Sequence, residues 1–334
     1  MSKYYGDKEL FASPEVSQYG SHMVMTNVVK PTKIKYINLD TAFGDDYVNN
    51  TTQNYINNAT QNNDTSTLKN DLIPTFNQAS YTFTLPQRLT NIKSLKVNSA
   101  EIPMSYYNIS KYIGNNVFFI KWSGEGQAQT ISVPDGYYSP STLQTTINSF
   151  FSNSNPSIPI TIELNTLNNK IKITNTRSDL DLIIQFPVKD DGSFDKNNFK
   201  SKLGWILGFR KIEYTIKKNG GSIVGESVIN IDWKYLYLAL DEFSNGNQNS
   251  FASQLSSSLV NKNILSKIIL NRQVYGVGTI LPATIHMGFV ISDKRTYNGA
   301  IDIQKLSVQI LDEYGNIINL NGVNFSVGIE IEYE

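Results

Sequence analysis

Side chains able to do chemistry are few in this chain and stand far apart. Two histidines occur, His22 and His286. A serine hydrolase needs an imidazole beside its nucleophile, and a histidine-rich metal site needs several imidazoles, so the supply is too small for either. His286 lies in the apolar stretch ATIHMGFV and reads as a structural residue; His22 reads as an exposed polar one. The acids come in neighbouring pairs, Asp241-Glu242 and Asp312-Glu313. Paired carboxylates suit glycoside hydrolysis or calcium binding. Adjacent residues at a strand end point to opposite faces, however, so each pair reads as solvated turn acids. NDTST and DDGSFDKNN lack the ordered spacing and closing glutamate of a calcium loop. Tyrosine is abundant, 19 residues, and its rings suit stacking on sugars or bases. In a strand-rich chain the same rings serve as core and cross-strand partners. The sequons Asn58-Ala59-Thr60 and Asn108-Ile109-Ser110 arise readily in a chain with 38 asparagines. No phosphate loop, dinucleotide fingerprint or nucleophile elbow is present. Nothing assembles an active site, and no catalytic, cofactor-binding or metal-binding residue is assigned.

Composition narrows the classes further. Cysteine is absent, which excludes a disulfide scaffold, thiolate-bound metal and thiol catalysis. Basic and acidic residues balance at 29 each, so there is no basic excess of the kind that neutralises a nucleic-acid backbone. No run of about 18 apolar residues marks a membrane span. The start, MSKYYGDKELF, lacks the apolar stretch of a signal peptide.

The elements that would have to position any site are mostly strands. Residues 1–32 keep neither period and read as an N-terminal arm. KIKYINL at Lys33–Leu39 is a short strand, with Ile34 and Tyr36 toward the core and Ile37–Leu39 as further candidates. From Thr41 to about Gln78 the chain is polar and asparagine-rich, a surface loop. Tyr81, Phe83 and Leu85 alternate with threonine until Pro86, and a second alternation runs from Ile92 to Pro103. VFFIKW at Val117–Trp122 is a dense strand. Ser139-Pro140 followed by Leu143, Ile147, Phe150 and Phe151 predicts a capped amphipathic helix. Strand patterns return at Ile158–Leu164, Lys170–Thr174 and Leu182–Phe186. WKYLYLAL at Trp233–Leu240 is apolar on both faces. Phe251–Val260 suggests a short helix, and strands at Ile264–Leu270, Ile285–Ile291, Ile303–Leu311 and Phe325–Tyr333 complete the series, with DEYG at Asp312–Gly315 a turn.

Many short strands and long loops predict an all-β fold. A jelly-roll sandwich is preferred because it tolerates large insertions, although periodicity does not separate it from an immunoglobulin-like sandwich. The helix set among strands predicts an inserted α+β subdomain at 129–228, between sandwich segments 33–128 and 229–334. Trp205, Trp233, Leu236, Leu238, Leu306 and Ile310 are expected to be buried, with Tyr235 and Tyr237 at least partly so.

Seven strings, in this order, resemble a known family. They are YINLD at Tyr36–Asp40, SYTFTLPQRLTNIKSLKVNSAEIP at Ser80–Pro103, VPDGYYSPSTLQTTIN at Val133–Asn148 and LGWILGFR at Leu203–Arg210. YLYLALDEFSN at Tyr235–Asn245, the stretch from Ser292 to Gly322 and the tail VGIEIEYE follow. The set, which spans the chain from about residue 18, is similar to the penton and minor capsid proteins of nucleocytoplasmic large DNA viruses, especially the mimivirus-like giant viruses. The resemblance implies a jelly-roll subunit of an icosahedral virion capsid assembled in the host cytoplasm, with the inserted domain on the outer side. It implies a homopentamer at the five-fold vertices, touching major capsid protein trimers and other minor capsid proteins, with no direct nucleic acid partner. The family brings no catalytic residue and no cofactor. A minor capsid protein elsewhere in the shell and a lectin-like vertex or fibre protein binding host glycans are the alternatives. An enzyme such as a glycosidase is the reading the sequence supports least.

Overall fold

Alternating apolar residues dictate the main element of the fold. The computed structural model describes residues 31–43, 79–186, 199–243 and 263–334. The arm to residue 30, most of the asparagine-rich loop, the loop before Phe199 and the helix expected at Phe251–Val260 lie outside the described residues. The molecule is all-β, built from curled antiparallel sheets of jelly-roll type with an inserted α+β unit.

Its largest sheet grows around one long strand, β2 (Ser80–Pro103). Alternation was expected to break at Pro86, yet the strand runs through it. Proline removes a ladder donor, but here the register of the neighbouring strand β14 (Arg295–Leu311) jumps between Ile303↔Leu89 and Lys305↔Thr84, so Pro86 falls in the irregularity, where it has no register partner. Such irregularities bend a strand and increase its twist, and β2 curves as a result. On its other side β2 pairs with β15 (Ser326–Tyr333), which in turn pairs with the edge strand β1 (Lys33–Asp40). Beyond β14 follow β10 (Tyr235–Asp241), β11 (Ile264–Ile269) and β13 (Val290–Ser292), while β12 (Ile280–Thr284) pairs with the end of β2. The sheet curls until β13 meets β2, where the Ser292 hydroxyl accepts a hydrogen bond from the Val97 N–H. Inside it Leu95, Val97, Ile102, Leu236, Leu238, Leu306, Ile310 and Ile329 form one core. Tyr237 and Ala239 pack on the opposite face with Ile264 and Leu311, so β10 is buried on both sides as its sequence suggests.

A second core belongs to the inserted unit. One sheet there holds β3 (Val117–Trp122), β4 (Gln129–Ser132), β7 (Leu182–Gln185) and β8 (Glu213–Ile216); another holds β5 (Ile160–Asn165), β6 (Lys170–Asn175) and β9 (Ser222–Val224). Strand β3 was expected in the sandwich segment. It pairs instead with β4 and β7. Phe118 and Ile120 join the second core, and Val117 and Phe119 pack together on the other face.

Helix α1 (Pro140–Asn153) begins as its sequence specifies: the Ser139 hydroxyl accepts from the Thr142 N–H at 3.2 Å, and Thr142 Oγ1 accepts from the Ser139 N–H at 2.8 Å. Leu143, Ile147 and Phe151 enter the core, whereas Phe150 stays partly exposed. The outer edge of β5 is met by the helix. Asn148 donates to the Ile162 carbonyl at 2.7 Å and accepts from its N–H at 2.8 Å, and Gln144 accepts from the Leu164 N–H. The short helix α2 (Leu203–Ile206) ends at Gly208, whose positive φ and approach to the Ser227 carbonyl leave no room for a Cβ. Trp205 and Trp233, expected in the core, are only half-buried. Trp205 carries the Arg210 guanidinium on its ring at 3.8 Å, and the indole of Trp233 lies on Tyr106 at the boundary between the cores.

Candidate functional site

The acids of the sequence land in structural roles. Glu242 was read as a solvated turn acid, but both it and Arg295 are fully buried, joined at 2.7 Å. Arg295, at the start of β14, also donates to the carbonyls of Leu240 and Asn263, where the β10–β11 ladder ends. Nearby Tyr297 is pushed far above the usual phenol range, by burial first and by the Glu242 charge second. Asp312 is buried too: its carboxylate accepts from the N–H groups of Tyr314 and Asn316 and from the Asn316 amide, closing the expected DEYG turn. Burial raises its pKa, and the hydrogen bond from the Asn316 side chain opposes that. Glu313 accepts from the Lys234 N–H. Each pair is thus divided between separate tasks.

His286 sits exposed in the turn between β12 and β13, not among the apolar residues around it, because that stretch folds as two short strands with a turn rather than one strand. Asn108 of the second sequon is buried, bonded through its amide to both the N–H and the carbonyl of Tyr138. His22 and Asn58 lie outside the described residues. Among the described residues no three His, Asp or Glu side chains gather as a metal would require.

A polar cluster does form where the chain crosses between the two cores, at residues 104–109 and 231–235. Tyr106 and Trp233 stack with centroids 4.8 Å apart and planes 22° apart. The Arg272 guanidinium lies 4.4 Å from the Tyr106 ring and 4.7 Å from that of Tyr137. Its Nε and Nη1 are buried and find no hydrogen-bond partner among the described residues, and the two ring faces answer the cation there. Tyr137 donates to Asp232 at 2.8 Å. Burial and that carboxylate hold its hydroxyl protonated up to about 12. The cluster joins the two crossing segments to each other; burial raises the pKa of both tyrosines, so neither gives up its proton near neutrality. Sequence gave no signal for Arg272 or Arg295, since the partners of both lie dozens of residues away.

The surface near β1 has a different character. On the outer face of β15 and just past its end, Glu330, Glu332 and Glu334 each meet a lysine: Lys96 at 3.1 Å, Lys294 at 2.9 Å and Lys93 at 2.8 Å. Glu332 is held down to about 2, chiefly by the hydrogen bond from Lys294 and then by those from Thr32 and Ser94. Ile34 and Tyr36, read from the sequence as core residues, stand on this outer face, 57% and 67% exposed. Their register partners are Glu332 and Glu330. The face was inverted because the inward positions Lys33 and Lys35 look less core-like than their neighbours; only Ile37 and Leu39 pack inward. Beside Lys35 opens a groove of about 200 Å³, lined by Arg88, Leu89, Ile331 and Tyr333 among others. No helix among the described residues is long and apolar enough to cross a membrane.

No family model matches the chain, and no curated protein matches it. Among solved structures, the mavirus penton protein aligns with 76% of this chain and 98% of its own, at 11% identity and a TM-score of 0.33. A TM-score that low falls short of a shared fold.

Proposed function

We propose that this chain is a structural subunit of an icosahedral virus shell, and specifically a penton that forms pentamers at the five-fold vertices beside trimers of the major capsid protein. One observation carries the reading. Three of the seven strings that resemble capsid proteins of the large DNA viruses build the centre of the main sheet. Ser80–Pro103 is the whole of β2, Ser292–Gly322 contains β14, and the acidic tail is β15. The two longest resembling strings and the tail therefore lie on β15-β2-β14, three adjacent strands at the centre of that sheet. On this reading the site of function is an assembly surface in the virion, not a reaction centre, and the buried acids and arginines serve rigidity.

The same reading divides the chain into an arm at 1–32, a jelly-roll part and the inserted unit. Because β3 belongs with the second core, we place the start of the inserted unit near residue 109 rather than 129. Native mass spectrometry and negative-stain imaging of the purified chain test the proposal. A pentameric mass with ring-shaped particles is expected, alone or on addition of the major capsid protein. A strict monomer that joins no shell under either condition would overturn it.

A further inference from the structure

Strand β1 ends the main sheet, and among the described residues nothing pairs with its outer edge. It is eight residues long, enough for a full strand to add alongside. Its register with β15 fixes what each face would present to such a strand. Outward stand Ile34 and Tyr36, large apolar side chains over half exposed. On the face shared with Ile37 and Leu39 stand Lys33 and Lys35, both exposed and forming no ion pair among the described residues. The inward face continues into the groove beside Lys35, whose floor includes Ile92 and Ile331 and whose rim carries Arg88. Arg88 is paired with Asp302 at 3.0 Å but keeps most of its surface in solvent.

Cross-strand neighbours on one face of a sheet interact directly, opposite charges favourably and like charges unfavourably. A strand that complements β1 therefore needs carboxylates beside Lys33 and Lys35 and apolar side chains beside Ile34 and Tyr36. A second copy of β1 complements this edge poorly: in parallel register lysine faces lysine, and in the end-to-end antiparallel register only Lys33 meets a carboxylate, Asp40, while Lys35 meets Asn38. The one described strand with acidic–apolar alternation, β15, already has both edges occupied by β1 and β2. We propose that the β1 edge is a docking site for an extended segment of a different polypeptide, with side chains alternating acidic and apolar, which adds as a further strand. Main-chain hydrogen bonds would supply affinity, and the lysines and the groove would supply selectivity. This inference does not require the shell reading.

The experiment uses the full chain and two synthetic octapeptides, one alternating glutamate with valine, the other lysine with valine. Binding is read by fluorescence anisotropy, and the site by hydrogen exchange at residues 33–40. The glutamate peptide should bind and protect β1 amides, and the lysine peptide should not. The double substitution Lys33→Glu/Lys35→Glu should weaken the glutamate peptide by about tenfold or more, given two opposed charge pairs, and should let the lysine peptide bind. Lys33→Gln/Lys35→Gln should weaken the first without admitting the second. These side chains are exposed, so unchanged thermal unfolding is expected and serves as the check on folding. The proposal is overturned if β1 gains no protection, if the charge reversal leaves the peptide preference unchanged, or if β1 proves protected by self-association of the peptide-free chain.

Discussion

In the inserted unit a helix lends Asn148 and Gln144 to the outer edge of β5, whereas in the main sheet the end of the β10–β11 ladder is met by Arg295 and its partner Glu242. Both arrangements satisfy backbone groups that strand pairing leaves over. They differ in burial: the amides work at a half-buried seam, while the guanidinium and carboxylate are shut off from water entirely. A neutral amide pair leaves a modest deficit when removed. A buried ion leaves a charge that nothing else can solvate. The end of the β10–β11 ladder thus depends on its ion pair far more than the edge of β5 depends on either amide.

The sharpest way to break this contrast is Glu242→Ala. It strands the Arg295 charge and should lower stability by about 3–5 kcal/mol, measured by urea unfolding. Removing both charges, Glu242→Leu with Arg295→Met, should recover much of that loss, as it would not if the pair were itself the source of stability. Next in size is Leu238→Ala in the main core, at about 2–5 kcal/mol by the same measurement. Leu238 is fully buried. Asn148→Ala should cost about 1–3 kcal/mol, since the Ile162 N–H loses its partner. Hydrogen exchange should then rise along β5 and leave the main sheet unchanged. The smallest effect is on the lysine–glutamate ladder. The pKa of Glu332 is depressed in the folded chain, so the stability it contributes is present above its ordinary value of 4.5 and is lost as pH falls toward about 2. Exposure keeps that contribution small. A Lys294→Met variant should show a flatter acid limb in unfolding midpoint against pH.

Local chemistry made part of this legible in advance. The α1 helix carries its own start signal in Ser139-Pro140, and β10 declares two buried faces because apolar residues fill both alternations. The DEYG turn needs only residues within five positions. What stayed hidden was set by partners remote in sequence. Nothing near Glu242 announces an arginine 53 residues later. Nothing near Pro86 says that its neighbour strand slips register there, and nothing in VFFIKW tells which sheet will take it. The inverted face of β1 is a related case: Ile34 and Tyr36 look like core, and only the pairing with Glu332 and Glu330 turns them outward. At the candidate site the same rule holds, since the Arg272 stack draws on residues 106, 137 and 272.

Strand β2 has a consequence for synthesis. Each of its ladder partners, β12, β14 and β15, lies beyond residue 279. A ribosome that has just released Pro103 must add 176 residues, 104 to 279, before the first of them begins. All the strands and helices of the inserted unit lie between, at residues 117–224, with most of their contacts to one another. Long-range pairing is slow, and unpaired apolar strands are open to misassociation. The growing chain therefore carries a folded middle and a waiting strand, and its exposure to error is longest at the element on which the whole sheet is built. A nascent chain halted at residue 262 should show protease protection across 117–224 and none across 80–103.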